Sequence, residues 1–120
     1  MENKILNIIN ILKEKTISGD AVWTRTSSDN EFKIQFANAT ITTDNWFVDN
    51  KMCFDFVILN QNGDTIERLS VTDEDFLNSD YALLSSFYET VKNSYYKVDE
   101  TIDSIIKELN TSKKIGNQNN

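Results

Sequence analysis

The stretch Lys51–Val71, KMCFDFVILNQNGDTIERLSV, constrains this chain more than any other. Two runs rich in aromatic and branched residues flank Asn62-Gly63, a dipeptide that favours the positive φ angles of a tight hairpin turn. Read as a two-residue loop, that turn pairs Gln61 with Asp64, Leu59 with Ile66, Phe56 with Leu69 and Phe54 with Val71. Directly opposed residues share a face, and faces alternate along each strand. One face then carries Phe54, Phe56, Ile58, Leu69 and Val71. The other carries Cys53, Val57, Leu59 and Ile66.

The same procedure extends the sheet toward the N-terminus. AVWTRT and EFKIQFA flank the turn-forming run Ser27–Asn30, which places Trp23 opposite Ile34 and Arg25 opposite Phe32. Asn38-Ala39 is read as a second tight turn, setting Phe36 against Ile41 and Ile34 against Thr43. Asp49-Asn50 can close the strand Thr40–Phe47 onto Lys51, which sets Thr43 against Phe56, Ile41 against Ile58 and Asp44 against Asp55; a longer, irregular loop around Asn45–Asn50 is the alternative. The Asp44–Asp55 pair is like-charged and unfavourable. These local choices converge on one apolar face: Trp23, Ile34, Phe36, Ile41, Phe54, Phe56, Ile58, Leu69 and Val71. Such agreement between levels indicates a five-stranded antiparallel meander.

Helices bracket the sheet. Ile5, Ile8, Ile9 and Leu12 recur at helical spacing in residues 3–15. Thr72 reads as the N-cap of a short turn, Asp73–Leu77, whose first residues are acidic. Beyond the break at Asn78–Asp80, Leu84, Phe87, Val91, Tyr95, Val98, Ile102, Ile105 and Leu109 step by three and four. One continuous helix there would span about 45 Å at 1.5 Å per residue. It would overhang a compact domain, so the reading favours a break between Tyr96 and Asp99, with Asp99 as a cap. The fold class expected is α+β: an N-terminal helix, the meander, and one or two C-terminal helices packed on one sheet face. A single domain is expected over 1–110 and a flexible polar tail over 111–120.

Composition narrows the function. Twelve basic and nineteen acidic residues give a formal charge of −7. That disfavours nucleic acid and anionic membrane, both of which attract basic surfaces. The opening MENKILNIINILKEK lacks the layout of a signal peptide and no apolar run approaches a membrane span, so a cytoplasmic location is expected. A single cysteine permits no internal disulfide. No histidine is present, which removes the commonest general base and transition-metal ligand. Three scattered glycines form no phosphate-cradling loop. Cys53, with no histidine to activate it, reads as a structural thiol. Neither Asp73, Glu74, Asp75 and Asp80 nor Asn60–Asp64 has the spacing of a cation loop. No cofactor, metal or catalytic residue is assigned, and a non-enzymatic role is expected.

The second sheet face is the feature that points to a partner. Trp46, Val57, Leu59 and Ile66 would gather there with Cys53, whereas a one-layer antiparallel sheet ordinarily shows water a polar face. Either the N-terminal helix covers this patch or a protein partner does. The C-terminal stripe offers a homodimer seam as well as core. Between Asp64 and Asp103 there are ten acidic and three basic residues, so Asp73, Glu74 and Asp75 are assigned a steering role toward a basic partner surface. The expected function is a small acidic protein-interaction module of the inhibitor, immunity or anti-defence kind. The alternative is a small-ligand module with a pocket lined by Trp23, Phe32, Phe54 or Tyr81.

Overall fold

A computed structural model describes residues 3–116. The chain is α+β, with α1 (Asn3–Ile17), β1 (Thr24–Arg25), β2 (Phe32–Gln35), β3 (Ala39–Val48), β4 (Lys51–Asn60), β5 (Thr65–Thr72), a 3₁₀ turn at Asp73–Asp75, α2 (Ser79–Tyr95) and α3 (Val98–Thr111). The five strands form one antiparallel sheet in sequence order. None of the helices is long and apolar enough to cross a membrane, among the described residues. Residues 117–120 of the expected tail lie outside those described.

The β3–β4 hairpin is the spine of the sheet. Its tip, Asp49-Asn50, has φ of 51° and 62°. Two consecutive positive φ angles make a type I′ turn, which matches the twist of the strands it joins, and Asp and Asn tolerate that region better than most residues. The register follows as expected, with Thr43 opposite Phe56, Ile41 opposite Ile58 and Asp44 opposite Asp55. The β1–β2 register also holds, with Arg25 opposite Phe32.

Two turns differ from the sequence reading. Between β4 and β5 the loop has three residues, Gln61–Gly63. Asn60 N–H donates to Asp64 O (2.9 Å) and Gly63 N–H to Asn60 O (3.0 Å). Gly63 takes φ of 86°, and Asn60 Oδ1 accepts from the N–H groups of Asn62 and Asp64. A three-residue turn ending in a left-handed glycine carries a bulge. The three-residue loop sets Leu59 opposite Thr65, and a separate register shift one step further on sets Ile58 opposite Glu67 and leaves Ile66 as the extra residue. Beyond the bulge the expected pairs return, with Phe56 opposite Leu69 and Phe54 opposite Val71.

Between β2 and β3 the loop is Ala37-Asn38, not Asn38-Ala39. Phe36 N–H donates to Ala39 O at 2.8 Å, and Ile34 pairs with Ile41 rather than Thr43. Neither Ala37 nor Asn38 takes a positive φ, so this turn differs in type from the one at Asp49-Asn50. The shift is by two residues, so the faces are preserved. Phe36, expected in the core, instead sits beyond the ladder and is half exposed.

The contiguous hydrophobic cluster lies on one side of the sheet. Trp23, Phe32, Ile34, Ile41, Phe54, Phe56, Ile58 and Val71 meet Leu84, Phe87, Tyr88 and Val91 of α2 and Ile9 and Leu12 of α1. Phe87 stacks edge-on against Trp23 (5.9 Å between centroids) and Phe56 (5.6 Å). Tyr88 lies against Phe32 and Phe54, and its hydroxyl donates to Asn30 O at 2.6 Å, tying down the β1–β2 loop.

α1 is locked by a buried relay. Trp23 Nε1–H donates to Thr16 Oγ1 (3.0 Å), whose own hydroxyl donates to Leu12 O (2.7 Å). Thr16→Val keeps the shape but leaves the indole N–H unpaired in the core. We expect a loss of about 1–3 kcal/mol, read as a lower urea midpoint with an unchanged slope.

Candidate functional site

The outer sheet face was expected to present an apolar patch. The register does place Trp46, Cys53, Val57, Leu59 and Ile66 on or beside it, but the structure separates them into two groups, Trp46 with Cys53 and Val57 with Leu59 and Ile66. Cys53 and Val57 are buried among neighbouring strands. Trp46 opposes Cys53 near one end, whereas Leu59 opposes Thr40 near the other. Between them Asp44 opposes Asp55, and Arg68, paired with Val57, reaches diagonally to Asp55. The apolar residues are thus divided by a charged band. α1 does not cover this face: its core residues pack with α2 and Trp23 on the opposite side.

Asp55 is the most perturbed charge in that band. Its side chain is buried, and Arg68 Nη1 donates to Oδ2 at 2.8 Å. Oδ1 has no hydrogen-bond partner. Burial pushes its pKa up to about 6, against the opposing pull of Arg68, with Asp44 and Glu31 adding to the rise. Asp44 is shifted the same way, chiefly by burial. The sequence contained this site, because the register already set Asp44 against Asp55. What it lacked was a measure of how deeply the flanking side chains would bury Asp55. Burial, with Asp73 nearby, also raises the Cys53 pKa, which disfavours the thiolate a reactive cysteine needs.

The acidic residues assigned to steering are engaged within the fold. Met52 N–H donates to Asp73 Oδ2 (3.1 Å), and Glu74 pairs with Lys51 (3.2 Å). Thr72 N–H donates to Asp75 Oδ2 (3.1 Å) while Glu74 N–H donates to Thr72 Oγ1 (3.3 Å), a capping box. These carboxylates point to separate partners. Among the described residues no group of three or more histidine, cysteine or acidic side chains could hold a metal ion.

The aromatic set offered as a ligand pocket is packing. Trp23, Phe32 and Phe54 are buried, and Phe54 lies edge-on to Tyr81 at 5.8 Å. A cleft of about 270 Å³ opens elsewhere, between the end of α1, the end of α2 and the start of α3, with Thr16, Asn93, Lys97 and Asp99 among its lining.

The C-terminal stripe divides in function. In α2, Leu84, Phe87 and Val91 enter the core. Lys97 then takes the left-handed conformation (φ 54°, ψ 46°) and breaks the helix where the sequence reading placed a break. The cap is Lys97 itself, without a side-chain bond. Asp99, expected as the cap, lies in the first turn with Glu100, where both favour the helix dipole. α3 contains no buried residue. Ile102, Ile105, Ile106 and Leu109 are 49%, 54%, 50% and 54% exposed, and they form one side of the helix. α3 touches α2 lightly, and the molecule extends 54 Å along its long axis. The radius of gyration is 17.4 Å, against roughly 13.6 Å for a compact chain of this length.

Sequence reasoning counted Ile102, Ile105 and Leu109 in the stripe and missed Ile106, which widens it. It also missed the exposed apolar residues Phe47 and Val48 at the β3–β4 tip and Phe76 and Leu77 after the 3₁₀ turn. Their signal was weak, since a hydrophobic residue at a strand end or in a connection has no periodicity to mark it.

Comparison of the chain with protein-family models, with curated proteins and with solved structures finds no match.

Proposed function

We propose that this protein is a non-enzymatic protein-interaction module and that α3 is its contact element. One observation carries the reading: a fourteen-residue amphipathic helix stands on the domain with no residue buried and its apolar side open to water. Helices of this length are marginal in water on their own and draw stability from packing of the apolar side. Helix-in-groove docking supplies that packing from another molecule. An inhibitor, immunity or anti-defence role fits a module that acts by occupying its target.

The test is a double substitution, Ile102→Gln with Ile106→Gln. Glutamine sustains helix and both sites are half exposed, so the global unfolding free energy should move by less than about 1 kcal/mol. A partner retained on the wild-type protein should be lost on the variant. Retention of the same partner by both proteins would remove α3 from the interaction. Amide exchange offers a second check. In the free protein α3 should exchange far faster than α2, whose amides open only with the core.

A further inference from the structure

Resting on that reading, we infer that α3 docks as a single helix into a groove on a different protein, with an apolar floor and a rim of lysine or arginine. The charges beside the α3 stripe are the basis. At 3.6 residues per turn, Val98, Ile102, Ile105 and Leu109 run down the centre of the stripe and Ile106 widens one side. Asp99 and Asp103 border the stripe beyond Ile106, and Glu108 borders it beside Ile105. Lys107, the single base in the helix, lies on the opposite side. Within α3 every charge beside the stripe is therefore negative. A groove edged with basic side chains complements it, and opposite charges at a rim speed encounter and fix register.

The same facts count against a second copy. Any self-association that buries the stripe brings an acidic rim toward another acidic rim, with both Lys107 side chains facing away. Four half-exposed side chains also offer only roughly 400 Å² per copy, against about 800 Å² per partner in a stable interface. A groove that wraps the helix buries the flanks too and closes that gap. A membrane surface is disfavoured, because helices that lie on anionic lipid carry lysine and arginine on the polar side.

The experiment places the photocrosslinking residue benzoylphenylalanine at position 105 of the full chain, in place of Ile105. A second full-length protein carries it at position 100, in place of Glu100 on the far side of α3. Each is irradiated in lysate of the source cell and the adduct is mapped to its peptide. We expect an adduct from position 105 and little from position 100, joined to another protein at an apolar segment flanked by lysine or arginine. Neutralising the rim with Asp99→Asn, Asp103→Asn and Glu108→Gln should lower the yield about tenfold at low salt while leaving the far-ultraviolet dichroism unchanged. An adduct between two copies of this chain would overturn the groove and leave an interaction module that self-associates. So would a partner adduct indifferent to neutralisation, leaving α3 as a contact without electrostatic selection. No adduct at 105, or equal adducts at both positions, would overturn the role of α3 itself.

Discussion

Acidification from pH 7 toward pH 4 is expected to stabilise this protein, the reverse of the trend that salt-bridged carboxylates produce. Asp55 is the cause. Its folded pKa of about 6 lies above the ordinary aspartate value of 3.8, so the folded state holds the proton more tightly than the unfolded chain. The stabilisation is fully present below about pH 4 and is lost as the pH rises through about 6. A shift of this size corresponds to roughly 3 kcal/mol, and Asp44 acts in the same direction. Asp55→Asn should raise stability at pH 7 and flatten the profile between pH 4 and 6. Arg68→Met should do the opposite at pH 7, because it leaves a buried carboxylate without its cation, and should cost much less at pH 4.5. Urea unfolding at the two pH values separates these cases. A wild-type protein that loses stability on acidification would mean that the Arg68 pair outweighs the burial of Asp55.

Phe87→Ala should cost about 3–5 kcal/mol, a large part of the 5–15 kcal/mol that holds a typical domain together. Phe87 is fully buried and joins α2 to both Trp23 and Phe56. Its loss opens a cavity where helices and sheet meet. Ile105→Ala in α3 should cost less than about 1 kcal/mol, since that side chain is already half in water. Thermal unfolding of the two variants tests whether the stripe running from α2 into α3 serves two ends. Equal losses would place α3 inside the cooperative core.

The architecture was readable because hairpin turns state their own geometry. Asp49-Asn50 can take two positive φ angles, and the whole β3–β4 register followed from it. Ala37-Asn38 carries no comparable marker. The alternation of β2 and β3 could not discriminate either, because a slip of two residues leaves every side chain on its original face. At Gln61–Gly63 the glycine was visible but not the number of residues in the loop, and that number set Leu59 opposite Thr65 rather than Ile66. The outer face was misjudged for a different reason. Trp46, Val57, Leu59 and Ile66 are apolar letters on one face, yet Asp44, Asp55 and Arg68 occupy the ground between them. Periodicity has a similar limit in the C-terminal stripe. It identifies one apolar side in both α2 and α3, but not whether anything lies against it.

The left-handed residue at Lys97 has a consequence for how this chain can change. Up to that residue the buried side chains of α2, Leu84, Phe87, Tyr88 and Val91, are held in the core against the sheet and α1, and a substitution there alters the fold's own footing. After it, fourteen residues carry an outward-facing surface free of that obligation. Their chemistry can drift, or be redrawn by design for another target, while the sheet beneath continues to fold as before.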